Sequence, residues 1–353
     1  MHSNQSRLLW VDLLRILSIY AVVIIHVAAP YLNYYSSDPN FQWWMGNLYD
    51  SLARWCIPVF LMLSGAFILE KVAEGSIKDF LIHRCQRILL PFFFWSFLYF
   101  LWRIYVEHEK IELYQFFVYL IKEPIYYHLW FIYVLIPLYL LAPVFSAYFK
   151  GMDQSNLFYF LSLWVIYSSV LPIIEIISGI NFFISIKPLD SFFNYTGYFI
   201  LGYVLRNVKM RNVYIFVAFF MFISSFVITF YGTLLFSDKQ GKFDETLYHY
   251  ASPNVVIMSI TLILIVKNVH IPAIFYKLEN RFRVFEKISL CVPGIYFVHA
   301  SILSFFKREI VQFDSGIIAS VYGIPMYAAI IFVSSFIIIL ILKQIPFINN
   351  VVS

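Results

Sequence analysis

About ten stretches of this chain are long and apolar enough to cross roughly 30 Å of hydrocarbon, and no other feature narrows its fold so far. They lie near 8–29, 48–70, 88–106, 128–149, 156–177, 192–206, 212–236, 252–270, 288–306 and 317–342, the sixth being the shortest. Hydrocarbon offers no partner to a backbone N–H or C=O, so such stretches must satisfy their own hydrogen bonds as α-helices. The expectation is an all-α, polytopic membrane protein, with residues 1–353 forming one domain. Composition agrees: 61% hydrophobic and 13% charged residues, with a mean hydropathy of +0.78, exclude an ordinary soluble domain.

Charge placement sets the expected orientation. With the amino terminus inside, the inner loops carry fifteen of the 25 Lys and Arg residues, among them Arg7, and the outer loops carry seven. The positive-inside rule then puts both termini in the cytoplasm. The other three, Arg15, Arg54 and Arg103, fall within spans. The surplus of +5 is thus a matter of topology, and no basic domain suggests nucleic acid as a partner.

The first span ends in small residues, Ala28 and Ala29, as a signal peptide does, but Asp12 and Arg15 interrupt its apolar core and it is too long, so an uncleaved helix is expected. Cys56, Cys85 and Cys291 are isolated, without the spacing of a metal site or a disulfide framework, and read as packing residues. No internal repeat of the kind that builds duplicated transporters is visible. The longest stretches outside the spans are 107–127, 237–251 and the inner segment 271–287, whose Arg281, Arg283 and Lys287 suit an amphipathic helix on anionic headgroups.

The chemistry lies in the buried polar residues, because an ionisable group inside a span costs several kcal/mol and must face protein, ligand or water. Arg15 and His26 are eleven residues apart, close to three turns, so they share one face of the first helix roughly 16 Å apart along its axis. Asp12, one turn below Arg15, is placed to pair with it. Arg54 enters the second span from outside to a depth at which His26 could meet it. Arg84 and Arg87 put two guanidiniums at the inner surface, a pair suited to phosphate oxygens or to simple anchoring. His128 opens the fourth span beside Trp130, and His299 lies near mid-depth in the ninth, one turn after Tyr296.

An imidazole that titrates near neutrality can take a proton from a hydroxyl attacking an acyl carbonyl, and a buried guanidinium can hold an anionic donor or steady an oxyanion. The set therefore suits passage of an acyl group from a cytosolic carrier to an acceptor in the outer half of the membrane. The competing reading is an exporter or flippase of a glycan or lipid, with the same charges lining a conduit.

These residues carry a resemblance. Asp12-Leu13-Leu14-Arg15 followed by His26 resembles the signature helix of the acyltransferase 3 family of bacterial membrane acyltransferases. So do Arg54 to Pro58 with Ser64-Gly65-Ala66, Arg84 and Arg87 before Leu90-Pro91, His128-Leu129-Trp130-Phe131, Leu201-Gly202-Tyr203, and Gly294-Ile295-Tyr296 with His299. Ala66 stands where many members have an aromatic residue. The stretch from Phe243 to Asn268, with Tyr248, Tyr250, Pro253 and Lys267-Asn268, is most similar to the surface-polysaccharide O-acetyltransferases that modify enterobacterial common antigen.

The resemblance implies an inner-membrane, multi-pass O-acetyltransferase with acetyl-CoA as donor and a surface glycan or lipid-linked glycan as acceptor, and no metal. It implies that His26 is essential and Arg15 important, with Arg84, Arg87 and Arg15 on the CoA side. In the preferred mechanism His26 is the general base, Arg54 or His299 supports it, the Arg-rich inner face binds CoA, and His128, Trp130 and Tyr296 contact the acceptor. A covalent acetyl-imidazole is an alternative course. The hydrolase-like carboxy-terminal domain of some members is expected to be missing.

Overall fold

The computed structural model describes residues 8–72, 75–180, 187–270, 273–310 and 318–352. Arg7 and residues 271–272 of the inner segment lie outside them, and for Arg281 only the backbone is described. Among the described residues the chain is helical and has no strand, and eight helices are long and apolar enough to span a membrane. It is an all-α, multi-pass membrane protein. The two remaining expected spans correspond to a 19-residue helix ending at Leu205 and a 14-residue helix carried on by a π turn.

The helices are α1 Leu9–Leu32, α2 Phe41–Ala53, α3 Cys56–Val72, α4 Ile77–Arg84, α5 Leu90–Tyr105, α6 Leu113–Lys122, α7 Trp130–Lys150, α8 Gln154–Val165 and α9 Leu171–Ser178. They continue as α10 Lys187–Leu205, α11 Asn212–Gln240, α12 Pro253–Asn268, α13 Ala273–Phe282, α14 Val284–Ser289, α15 Val292–Phe305, α16 Gly323–Leu342 and α17 Pro346–Val352.

Proline explains most departures from the expected boundaries. The second span begins earlier than expected, at Phe41, and breaks at Arg54 and Trp55. Pro58 has no N–H for the Arg54 carbonyl, so the helix restarts there, with Val59 N–H donating to Trp55 at 3.0 Å. The third span starts at Ile77 and takes up a π turn over Cys85–Leu89, where the Leu90 N–H reaches back five residues to Cys85, just before Pro91. The same device recurs at Ile166–Val170, before Pro172.

One expected loop carries a helix, and the inner segment is helical as expected. The stretch 107–127 holds α6, whose Leu113, Phe117 and Ile121 remain exposed, and whose start is fixed by the Gln115 side chain accepting from the Glu112 N–H at 2.7 Å. The inner segment forms α13 and α14, divided at Arg283, whose φ of 51° is left-handed and whose side chain pairs with Glu286.

The chain divides into two compact units. One comprises Met1–Leu63, Leu205–Val292 and Asp314–Phe332; the other comprises Ser64–Val204, Pro293–Phe313 and Val333–Ser353. In the first, α1 packs on α2, α12 and α14, while α11 packs on α2 and α12. The α1–α2 contact is close because Gly46 has no side chain: a Cβ there would lie 2.8 Å from Tyr31 Cβ and 3.2 Å from the Ala28 carbonyl. Lys267 and Asn268 tie the foot of α12 to the end of α10, Lys267 Nζ donating to the carbonyls of Leu205, Arg206 and Val208, and Asn268 accepting from Met210 N–H at 3.0 Å. In the second unit Gly65 lets α3 reach α10 so closely that a Cβ would stand 1.7 Å from the Phe199 carbonyl oxygen.

Candidate functional site

The first unit contains Arg15, His26 and Arg54. Arg15 and His26 both lie on α1, and both are partly exposed, while Asp12 is buried. The face that α1 turns to α2 is marked by Ala28 and Tyr31. At 100° per residue His26 lies roughly 140° to 160° around the axis from both.

Arg54, at the break between α2 and α3, has a different company. Its Nη2 is 2.5 Å from Asp50 Oδ1, one turn earlier on α2, and Asp50 is fully buried. Its guanidinium lies 4.2 Å from the centre of the Tyr248 ring and 5.8 Å from that of Tyr250. Tyr248 is anchored in turn: its hydroxyl donates to Asn47 Oδ1 at 2.6 Å, and Ser51 Oγ lies 3.2 Å from the same hydroxyl. Asn254, on α12, donates to Thr229 at 2.7 Å and to the Leu247 carbonyl at 2.8 Å. The resulting knot fixes the segment around Tyr248 to α2 through an ion pair, hydrogen bonds and two ring faces. At the neighbouring helix end Tyr35 donates to Asp238 at 2.5 Å, and burial, followed by that carboxylate, pushes its hydroxyl up to about 12.

The second unit contains the remaining candidates. His128, in a single 3₁₀ turn ahead of α7, and His299, in mid-α15, are both buried, and their rings meet at 5.1 Å and 78°. Tyr296 causes the meeting: its hydroxyl donates to the His128 backbone carbonyl, and its ring stands 5.4 Å from the imidazole. His299 Nδ1 sits 2.6 Å from the Tyr296 carbonyl oxygen. A carbonyl only accepts, so Nδ1 carries the hydrogen and, in the neutral ring, Nε2 keeps the lone pair. Trp130 is partly exposed and tilts against Tyr195 at 5.8 Å.

The two guanidiniums of the inner pair are not equivalent. Arg84 is partly buried, 5.5 Å from the ring centres of both Phe80 and Tyr139, whereas Arg87, inside the π turn, is exposed. Tyr139 Oη bonds Ser64 Oγ at 3.2 Å, linking the Arg84 surroundings to the Ser64-Gly65 step. Arg103 is a clamp: it pairs with Glu109 at 2.7 Å and donates to the Ile125 carbonyl at 3.2 Å. Of the cysteines, Cys56 and Cys291 are buried and Cys85 is exposed.

A family model for the acyltransferase 3 domain, described as an acyltransferase domain, matches residues 8–343. The chain belongs to the acyltransferase 3 family. The match runs across both units and takes in Arg15, His26, Arg54, Arg84, Arg87, His128 and His299. No curated protein and no solved structure matches the chain. As an acyltransferase 3 protein, the molecule is a membrane acyltransferase.

Sequence reasoning missed Asp50, Asn47, Tyr99, Tyr126 and Glu107. Asp50 had a readable signal, a carboxylate four residues before Arg54 on a helical stretch, the spacing at which opposite charges pair. The other four had none, since these partners are 19 to 202 residues away or set by ring packing.

Proposed function

We propose that this acyltransferase moves an acetyl group from cytoplasmic acetyl-CoA to a hydroxyl of a surface polysaccharide or its lipid-linked precursor, in the bacterial inner membrane. The observation that carries the reading is α1, a membrane helix of the acyltransferase 3 domain with Arg15 and His26 on one stripe. His26 takes the hydroxyl proton as the oxygen attacks the thioester carbonyl. The carbon–sulfur bond breaks, and the proton ends on the departing CoA thiol. Arg15 steadies the charge that develops, Arg54 or His299 assists catalysis, and Arg84 and Arg87 take the CoA phosphates. His128, Trp130 and Tyr296 contact the acceptor.

The test is sided. His26 lies eighteen residues after Leu8, roughly 27 Å along a helix leaving the cytoplasm, so the acetyl group is delivered in the outer half of the bilayer. In sealed, oriented vesicles labelled acetyl-CoA should be consumed only from the cytoplasmic side, and an impermeant acceptor modified only from the other. Transfer with both substrates on the cytoplasmic side alone would mean that precursors are modified before they are flipped. An exporter would release no CoA from either side.

A further inference from the structure

The helix α6 is too short to cross a membrane and too apolar to lie in water. Its ten residues span roughly 15 Å, half of a hydrocarbon core, and only Gln115 and Lys122 among them are polar. At 100° per residue Leu113, Phe117, Ile121, Tyr114 and Val118 fill one arc of roughly 140°. All five are exposed, Ile121 to 83%. The other side of the helix is fastened to the protein. Phe116, 8% exposed, packs on Phe97 and Phe100 of α5 with ring centres 5.9 and 5.2 Å apart. The Arg103 guanidinium lies 4.8 Å from the centre of the Tyr119 ring, and Tyr133 of α7 donates to the Leu120 carbonyl at 3.2 Å. These contacts fix the direction in which the apolar arc faces. They also fix its depth, since Phe100 and Phe97 lie five and eight residues before the end of α5 at Tyr105, roughly 8 and 12 Å along its axis.

We propose that α6 is an interfacial helix whose exposed arc docks into the leaflet at which α5 ends, its partner being the acyl chains of phospholipid. A helix apolar on nearly every side needs an apolar surrounding on every side, and α5 and α7 cover only one of them. Interfacial helices seat their apolar face about 5–10 Å into the boundary of headgroup and acyl chain, the level that the contacts with Phe97 and Phe100 set here. Phe97 is itself exposed, so the lipid-facing surface of α5 continues onto α6 through the Phe97–Phe116 contact. Lys122 stands at the edge of the arc, where a long side chain reaches from hydrocarbon to headgroups. Charge decides what kind of attraction is at work. The stretch 107–127 carries Glu107, Glu109, Glu112 and Glu123 against Lys110 and Lys122, so anionic headgroups do not draw it in, and apolar burial holds it.

The experiment attaches a spin label to the full chain in phosphatidylcholine nanodiscs, in a Cys85→Ser background, since Cys56 and Cys291 are buried. Labels on Phe117→Cys and Ile121→Cys should be reached several-fold better by oxygen than by a water-soluble nickel chelate, at a depth of about 5–10 Å below the phosphates. A label on Lys110→Cys, ahead of the helix, should show the reverse preference. The depth should persist in about 1 M salt, where charges are screened within roughly 3 Å, and should not change when anionic lipid is added. Labels on the arc that meet the chelate better than oxygen would place α6 in water, and labels closed to both would put a second copy of the chain on the arc. Either result overturns the proposal, as does a depth that salt abolishes. Should the variants fail to fold, a phospholipid with a diazirine on its acyl chain reads the unsubstituted protein, and should cross-link to Phe117 and Ile121. Cross-links to Phe97 of α5 with none to α6 would overturn the proposal as well.

Discussion

The carboxylate of Asp50 in the first unit and the imidazole of His299 in the second are both 0% exposed, yet the chain holds them by opposite means. Asp50 has a full opposite charge at 2.5 Å, and Arg54 is itself fixed by the Tyr248 ring and carbonyl. His299 is held by a backbone carbonyl of its own helix, by the Tyr296 ring and by the edge of His128, whose own ring meets Tyr99 and Tyr126. A permanent charge in a low-dielectric interior requires a counter-charge, while an imidazole can sit neutral among rings and keep a nitrogen for chemistry. The first arrangement immobilises its members. The second sets its imidazole among rings.

The largest expected effect tests whether any imidazole of the second unit can replace the one on α1. His26→Ala should lower acetyl transfer at least 100-fold, with protein level and membrane insertion unchanged, since a lost general base typically costs that much and a partly exposed side chain leaves little cavity. Wild-type activity in that variant would move the chemistry away from α1 altogether.

Next comes the ionic knot. Asp50→Ala leaves the Arg54 charge without its carboxylate and should destabilise the protein by about 3–5 kcal/mol, read as a lower midpoint of unfolding in detergent. Removing both partners in one chain should recover part of that loss. If the single variant unfolds like wild type, the pair is not what fixes the Tyr248 segment.

His299→Phe sharpens the contrast from the other side. A phenyl ring of similar size in an aromatic shell should change stability by less than about 1.5 kcal/mol while cutting transfer strongly. A stability loss as large as that of Asp50→Ala would show that the two sites are built alike. The smallest effect is expected for Tyr248→Phe, which loses the bond to Asn47 but keeps the ring under Arg54, about 1 kcal/mol by the same unfolding measurement.

How legible these sites were follows from the range of the forces involved. Arg15 and His26 were readable because both belong to one helix, and 3.6-residue periodicity fixes their common face before any tertiary contact forms. The spans were readable for the same reason, because burial in lipid acts on each segment by itself. The exact breaks were less so: Pro58, Pro91 and Pro172 announce a disturbance, but whether the chain answers with a break, as at Arg54, or with a π turn, as at Cys85–Leu89, depends on what packs around it.

The sequence by itself determined that this is an all-helical membrane acyltransferase with a charged first helix, since apolar length, loop charge and the order of its motifs are local properties of the chain. The tertiary structure alone decided the company that each buried group keeps. Arg54 closes on Asp50, one turn earlier, and on Tyr248, 194 residues further along the chain. His128 and His299 are 171 residues apart in the chain and 5.1 Å apart in space, brought together by Tyr296, whose hydroxyl reaches across 168 residues. Hydrogen bonds and ring contacts act over a few ångströms regardless of sequence separation, so only folding can write them.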